Sequence, residues 1–348
     1  MNLVQCSVPG RICLFGDHMD WLGYSVITST INMWINCIAW SSDSNKANIY
    51  SYAPYSRYCE YDYSSKQISK ENDLRYTQAV FKYLHKKKYE IPSMNMVFYS
   101  KDDRSLISGR GLSSSAALCV SSATVISILS QPQSYLDPNF ETRCAETAYQ
   151  AENGVLGINC GRMDPYACAI GGVLSINCSN NSAKYNTCRC LSDVDIVIGD
   201  TGKEKDTKKI LEWLKNRYQE EEPELTLGIS KIRKIVEKAR NLLDREPDYF
   251  KLGSLLDENQ RCLKEYFHVS GDCPISNSSL DELIYVSKKA GAFGAKITGS
   301  GGGGCMIALT NPKKTEHICK EISDIGGTPY KVKFTKKGIN INRLEGKS

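Results

Sequence analysis

The chain has 348 residues, of which 41% are hydrophobic and 24% charged, with a formal net charge of +5 at pH 7. This length exceeds one typical domain and predicts two domains that share a cleft. Acidic residues interrupt the basic runs, as in residues 203–209. These runs therefore favour solvent-exposed faces and argue against a nucleic-acid partner.

The 15 cysteines are scattered and form no CxxC pair. Several lie in apolar segments, where a free thiol behaves as a small hydrophobic residue, so a zinc–thiolate site is not expected. The first residues do not form a charged-then-apolar leader, and no apolar run reaches the length of a membrane span. We expect a cytoplasmic protein with reduced thiols and no membrane partner.

The first part of the chain is predicted to alternate strands and helices. Apolar patterns predict strands at residues 31–40, 47–53, 94–99, 172–178 and 194–199, and helices at residues 74–85 and 115–130. Asp137 and Pro138 predict a further helix that runs to about Asn153. Strands and helices together indicate an α+β domain.

Beyond Thr201 helical patterns dominate. Helices are predicted at residues 207–219, 225–243, 248–267 and 279–290, with short strands near 293–298, 305–310 and 329–335. The change across residues 183–193 predicts an N-terminal domain over 1–190 and a C-terminal domain over 191–348.

Residues Gly109–Ala117, which we call the serine loop, lead into a predicted helix. Glycines let the backbone approach a ligand, serines cap the helix, and the unpaired amides at its N-terminus attract an anion. The serine loop therefore predicts a phosphate-binding site. Taken alone, it fits a capped helix without a ligand equally well.

Residues Lys296–Cys305, which we call the glycine loop, have glycine at five of the six positions 299–304. Glycine weakens both strands and helices, so this density indicates backbone that approaches another group closely. A flexible linker is the alternative, but apolar segments flank the loop on both sides.

The first motif, residues 9–23, runs from an apolar strand into a polar turn that contains Asp17, His18 and Asp20. Carboxylates and an imidazole crowded together suit the recognition of hydroxyl groups on a polyol. A surface turn with an acidic cap is the alternative.

The acidic segment, residues 151–164, carries two further carboxylates, those of Glu152 and Asp164. One face of the preceding helix combines residues at four-residue steps: Phe140, Cys144, Ala148 and Glu152. A carboxylate on an apolar stripe is costly unless a partner binds it. Magnesium, or a buried arginine such as Arg143 or Arg162, would serve. Asp164 follows a glycine-containing loop and is expected to precede a strand.

In this order and spacing, the first motif, serine loop and glycine loop resemble the three motifs of the GHMP kinase superfamily. The first motif resembles the galactokinase signature PGRxNLxGEHTDYxGG, and AENGVLGINCGRMD resembles the galactokinase segment with the catalytic aspartate. The glycine loop, GSGGGGC, is closer to mevalonate kinases. The resemblance implies an α+β fold of two domains, ribosomal-S5-domain-2-like and then ferredoxin-like, with the active site in the cleft between them.

The resemblance also implies roles for individual residues, with ATP and Mg²⁺ as cofactors. The catalytic pair would be Asp164 and Arg11, and the substrate would be bound by Asp17, His18 and Asp20. The ATP-binding residues would be Gly109, Gly111, Leu112, Ser113, Ser114, Ser115 and Ala116. The active-site loop would contain Gly299, Ser300, Gly301 and Gly302. The magnesium ligands would be Ser114, with Ser115 beside it, and Glu152.

The sequence departs from galactokinases at several positions: Asp17 replaces glutamate, Trp21 replaces tyrosine, and Pro165 replaces glutamine. The resemblance thus implies an ATP-dependent kinase, monomeric or homodimeric, for the anomeric hydroxyl of galactose or a related sugar. The alternatives are mevalonate kinase or another non-sugar GHMP kinase, and a catalytically silent sugar sensor. Arg11, where mevalonate kinases have lysine, and Asp20 favour the sugar.

Overall fold

The computed structural model describes residues 2–52, 56–69, 74–99, 104–179, 182–189, 191–267 and 275–345. Its strands, numbered in chain order, are β1 (Asn2–Phe15), β2 (Ser25–Ser41), β3 (Lys46–Ser51), β4 (Arg57–Asp62), β5 (Met94–Tyr99), β6 (Val173–Asn177), β7 (Lys184–Thr187), β8 (Asp195–Asp200), β9 (Gly294–Ile297), β10 (Cys305–Thr310), β11 (Thr328–Val332) and β12 (Asn340–Glu345). The α-helices are α1 (Arg75–Lys86), α2 (Ser114–Ser130), α3 (Phe140–Tyr149), α4 (Met163–Ile170), α5 (Thr207–Gln219), α6 (Pro223–Leu243), α7 (Tyr249–Cys262), α8 (Ser278–Lys289) and α9 (Thr315–Asp324).

The N-terminal sheet has the strand order β12-β1-β2-β5-β3-β4, and β6 and β7 extend it from β2. Helix α2 packs against β1 and β2 and is buried on almost every side. Its sequence is apolar all round, with alanines and serines at many positions, which is the pattern of a core helix rather than a surface helix. The serine loop is therefore attached to the most buried helix of this domain.

The C-terminal sheet has the order β11-β8-β10-β9 and is antiparallel throughout. Helices α7, α8 and α9 pack against it. All six residues of the central strand β10 are buried, as its continuous apolar sequence requires. The predicted two-part α+β architecture is confirmed.

Strand β12 follows the C-terminal sheet in the sequence but pairs antiparallel with β1, with Cys6 opposite Ile341. The domain that was predicted to extend over 191–348 thus contributes its final strand to the N-terminal sheet. The short, mixed sequence of β12 gave no strand pattern that would have predicted this pairing. The position of the boundary near residue 190 stays a prediction.

The predicted elements agree best where the apolar pattern is long. Helix α5 and strands β5 and β10 have the predicted bounds, whereas β2 begins earlier, at Ser25. The predicted helix over 248–267 ends as α7 at Cys262 and continues as a π-helical turn, Leu263–Phe267. Strands β4 and β7 were missed because their exposed residues carry little apolar signal. Residue 53, in the predicted strand over 47–53, lies outside the described residues.

A buried ion pair joins the two domains. The side chains of Asp17, just after β1, and Lys296, in β9, have no exposed surface and form a salt bridge. The Lys296 ammonium also donates to the carbonyl of Cys13, at 3.3 Å. The amide of Cys13 in turn donates to Thr298 Oγ1, at 3.1 Å. The end of β1 is thus fixed to the C-terminal sheet.

Replacing Lys296 by methionine should destabilise the protein by about 3–5 kcal/mol, because it leaves the buried Asp17 carboxylate without its cation. Urea unfolding measures this loss. Lys320→Met is the matched control, since the ion pair of Lys320 with Asp324 is solvent-exposed, and this variant should unfold close to wild type. Equal unfolding midpoints for the two variants would contradict the role given to the buried pair.

Candidate active site

A cleft of about 1120 Å³ lies between the two domains. The first motif, the serine loop, the acidic segment and the glycine loop all contribute to its walls. The residues predicted to form a site that line it are Arg11, Asp17, His18, Asp20, Gly109, Gly111, Ser113, Ser114, Ser115, Glu152, Asp164, Gly299 and Ser300. The four stretches are far apart in the sequence, and the structure brings them to one place.

The serine loop turns sharply before α2. Gly109, Gly111 and Ser113 all have positive φ, at 74°, 85° and 64°. The first amides of a helix have no acceptor within it, so the N-terminus of α2 presents donors to an anion in the cleft. Leu112 and Ala116 are buried in the core, so they can contribute to ligand binding only through their backbone.

The three serines act differently from the expected helix caps. Ser113 occupies the N-cap position, but its hydroxyl donates to Asp164 Oδ2 at 2.7 Å instead of accepting from the helix. Ser114 Oγ accepts a hydrogen bond from the amide of Gly109, at 3.4 Å. The Ser115 hydroxyl donates to Glu152. The loop therefore contacts both candidate acids.

Arg11 and Asp164 form a bidentate pair. The Arg11 Nε–Asp164 Oδ1 distance is 2.7 Å, and the Arg11 Nη2–Asp164 Oδ2 distance is 2.6 Å. Arg11 also donates to the carbonyl of Gly111, at 2.8 Å. The Arg11 side chain is 4% exposed and that of Asp164 is 28% exposed, so the pair holds a carboxylate at the cleft surface.

Asp164 lies in the first turn of α4 and not before a strand, as the sequence had suggested. The partial positive charge of a helix N-terminus favours a carboxylate at this position. Pro165 was the signal that could have predicted the helix, because proline is common in the first turn. The helix fixes the direction of the Asp164 side chain.

Glu152 occupies a π-helical turn, Gln150–Val155, that continues α3. The residue is 4% exposed. Burial, with the nearby charge of Asp164, raises the pKa of Glu152 to about 7, against the hydrogen bond from Ser115. Neither arginine considered as its partner reaches it, because Arg162 pairs with Glu146 and Arg143 with Asp137.

The surroundings of Glu152 fit a magnesium ion. A buried carboxylate with a raised pKa gains from a cation, and the hydroxyls of Ser114 and Ser115 lie on the adjoining loop. Magnesium prefers oxygen ligands and commonly takes one or two carboxylates together with substrate phosphates. Glu152 and the serine loop could hold such an ion beside a bound phosphate.

The three polar residues of the first motif lie in two different environments, one for Asp17 and His18 and another for Asp20. Asp17, expected to bind substrate, has a fully buried carboxylate that pairs with Lys296 and accepts from the amide of Gly299 at 3.1 Å. His18 has φ 67°, and its Nε2 lies 3.2 Å from the carbonyl oxygen of Ser300. Burial lowers the pKa of His18 to about 4, so the imidazole is neutral at pH 7. Both residues hold the glycine loop in place.

Asp20 is the acidic residue of the first motif that remains available in the cleft. It is half-buried, and an added Cβ at Gly161 would lie 2.2 Å from its Oδ2 atom, so the acidic segment packs directly on it. Burial, followed by the charge of Asp164, raises the pKa of Asp20 to about 7. A ligand hydroxyl that donates to this carboxylate would stabilise its charged form.

The backbone of the glycine loop packs closely against the backbone of neighbouring segments. All five of its glycines have positive φ. A Cβ at Gly301 would lie 2.3 Å from the carbonyl oxygen of Ile275, and one at Gly299 would lie 3.1 Å from that of Gly111. Gly301 and Gly302 thus pack behind the cleft, whereas Gly299 and Ser300 line it.

Sequence reasoning missed Lys205, which lines the cleft although residues 203–209 were predicted as a solvent-exposed face. Three aromatic residues, Tyr76, Trp34 and Phe98, also line the cleft. Their aromatic character was visible in the sequence, but their convergence depends on the sheet. In the part of the chain that the structure describes, no helix is long and apolar enough to cross a membrane.

Comparisons with known proteins agree on one family. Residues 75–172 match the GHMP kinases N terminal domain, and residues 240–326 match the GHMP kinases C terminal family. Mevalonate kinase of Pyrococcus abyssi is 32% identical, over 99% of this chain and 99% of that protein.

Solved structures share the fold at low identity. Lactococcus lactis galactokinase complexed with galactose has a TM-score of 0.78 and 21% identity, over 98% of this chain and 95% of its own. Methanococcus jannaschii mevalonate kinase has a TM-score of 0.74 and 19% identity, over 95% and 98%.

The matched family models and the relative of 32% identity define a small-molecule kinase that uses ATP, in a class that generally uses Mg²⁺. Its acceptor group is an alcohol. The chain belongs to the GHMP kinase superfamily.

Replacing Glu152 by glutamine should stabilise the ligand-free protein at pH 7.5 by on the order of 3 kcal/mol, because the folded state then avoids a buried charge. A raised carboxyl pKa means that the folded state binds the proton more tightly, so this penalty grows as pH rises from 4.5 towards 7. At pH 5 the gain should shrink to about 1 kcal/mol or less.

Urea unfolding at the two pH values measures the effect. Glu282→Gln is the control, because Glu282 is exposed on α8 and its replacement should have the same small effect at both pH values. A Glu152→Gln gain that does not depend on pH would contradict the raised pKa.

Proposed function

We propose that this protein transfers the γ-phosphoryl group of ATP to a hydroxyl group of a small molecule in the interdomain cleft. The observation that carries the proposal is the position of Asp164. Arg11 and Ser113 hold its carboxylate beside the N-terminus of α2, and its side chain remains partly exposed to the cleft.

The residues suggest a division of roles. The amides of the serine loop would receive the nucleotide phosphates, and Glu152 with Ser114 or Ser115 would hold Mg²⁺, which would neutralise phosphate charge. Phosphoryl transfer depends mainly on alignment and on charge stabilisation. Asp164 would orient the acceptor hydroxyl and receive its proton, while Arg11 keeps the carboxylate in position.

We propose mevalonate as the first acceptor to test. The support is the near full-length similarity to Pyrococcus abyssi mevalonate kinase. The glycine loop, whose GSGGGGC sequence is closer to mevalonate kinases, points the same way.

A monosaccharide, phosphorylated at its anomeric hydroxyl, is the second candidate, and Asp20 favours it. Its carboxylate lies in the cleft near Asp164 and could accept hydrogen bonds from two sugar hydroxyls. With Asp17 paired to Lys296, sugar recognition would depend on Asp20 more than the galactokinase signature implies.

Asp164→Asn should lower kcat by about 10²–10⁴-fold, because it removes the proton acceptor while keeping a similar shape. Coupled ADP release measures turnover, and calorimetry with a non-hydrolysable ATP analogue measures binding. Nucleotide affinity should stay close to wild type. Near-full turnover of the variant would refute a general-base role for Asp164.

The acceptor is identified by supplying wild-type protein and ATP with mevalonate, hexoses, amino sugars, heptoses and uronic acids in parallel. Turnover is expected with mevalonate. If a sugar is the acceptor, Asp20→Asn should raise its KM by about 10-fold or more, since a charge-assisted hydrogen bond is lost. Turnover of neither mevalonate nor any sugar would overturn both candidates.

A further inference from the structure

The loop between β8 and α5 brings one lysine from an exposed run into the cleft. The neighbouring residues Lys203, Glu204 and Asp206 are exposed, whereas Lys205 is half-buried and lines the cleft. Lys205 was not among the residues that the superfamily motifs assign. Its placement in the cleft depends on the contacts that hold this loop.

The loop is fixed to both glycine-containing segments. The carbonyl of Lys203 accepts from Arg110 of the serine loop at 3.0 Å and from the amide of Gly304 at 3.2 Å. Arg110 also forms an ion pair with Asp200, at 3.2 Å. These contacts join the serine loop of the N-terminal domain to the C-terminal domain directly beside Lys205.

The Lys205 ammonium lies where the serine loop and the glycine loop meet. An added Cβ at Gly111 would be 2.7 Å from Lys205 Nζ, and one at Gly299 would be 3.6 Å from it. Both positions are glycine, which leaves the ammonium room against the backbone. The amino group therefore reaches the same loop whose amides face the cleft.

No hydrogen bond or ion pair within the described ranges involves the Lys205 amino group. Burial lowers its pKa to about 8, and the charge of Arg11 adds to this effect, while Asp164 and Asp17 act in the opposite direction. A partly desolvated cation without a close partner is costly, and an anion bound beside it would offset that cost.

We propose that Lys205 is a phosphate-binding residue, whose ammonium contacts the terminal phosphoryl oxygens of ATP over Gly111. This inference rests on the proposed function, because it places the nucleotide phosphates in the serine loop. It adds a cation beside the serine loop, where Arg11 is already engaged by Asp164. The lysine would neutralise phosphate charge from the C-terminal side while the α2 amides act from the N-terminal side.

Lys205→Met and Lys205→Arg test the proposal, with Lys209→Met as the matched control from the exposed part of the same run. Binding of adenosine, ADP and a non-hydrolysable ATP analogue is measured by calorimetry or competition. Lys205→Met should weaken the ATP analogue by about 10-fold or more, because a charge-assisted contact is lost, and should leave adenosine unchanged. Lys205→Arg should recover part of the loss, and Lys209→Met should match wild type.

Steady-state kinetics separate the remaining outcomes. The KM for ATP should rise in Lys205→Met while the KM for the acceptor stays constant. Unchanged affinity for the ATP analogue overturns the proposal, and so does an effect confined to the acceptor KM, which would place the lysine on the acceptor. Urea unfolding should show that Lys205→Met is at least as stable as wild type, so misfolding cannot mimic the result.

The experiments distinguish a failure of the proposed function from a failure of the role assigned to Lys205. If the wild-type protein binds the ATP analogue but phosphorylates no acceptor, the proposed function fails while the binding series still tests Lys205. If the protein turns over its acceptor and Lys205→Met behaves as wild type throughout, only the assignment of Lys205 fails.

Discussion

The active cleft depends on the buried ion pair between Asp17 and Lys296. Two charges without solvent contact are expensive, and they are tolerated because each also has a backbone partner. The pair connects the end of β1 to the start of the glycine loop. With His18 against Ser300, it sets the distance between the domains at the point where the ligands would meet. Such a pair fixes the relative position of the two domains more than it adds to the net stability of the protein.

The charged groups that line the cleft beside this junction differ in whether an opposite charge lies close to them. Arg11 neutralises Asp164, whereas Glu152 and Asp20 have raised pKa values and no equally close cation in the part of the chain that the structure describes. Lys205 gives the opposite case, a cation with a lowered pKa. A metal ion and a polyphosphate brought together would satisfy both kinds of group. The charges of the site thus match those of its proposed ligands.

Much of this site could be predicted from sequence because its residues lie in short, dense segments. The apolar stripe that ends at Glu152 indicated a buried acid, and the serine loop indicated an anion site. The partner of Asp17 could not be predicted, since Lys296 lies near the other end of the chain and no local pattern links them. The position of Lys205 in the cleft could not be predicted either, because its neighbours in the sequence are exposed and give the pattern of a solvent-facing run. The periodicity of apolar residues indicates which face of a helix or strand is buried, but it does not indicate which charged residues form pairs.

The pairing of β1 with β12 has a consequence for synthesis of the protein. Asn2 pairs with Glu345, so β1 is synthesised well before its outer neighbour β12. Until β12 emerges, β1 has an open edge whose amides and carbonyls can pair with other chains. The N-terminal domain therefore cannot complete its sheet until β12 has been synthesised, although its other strands are already available. The N-terminal sheet is thus completed by a strand that follows the whole C-terminal sheet in the sequence.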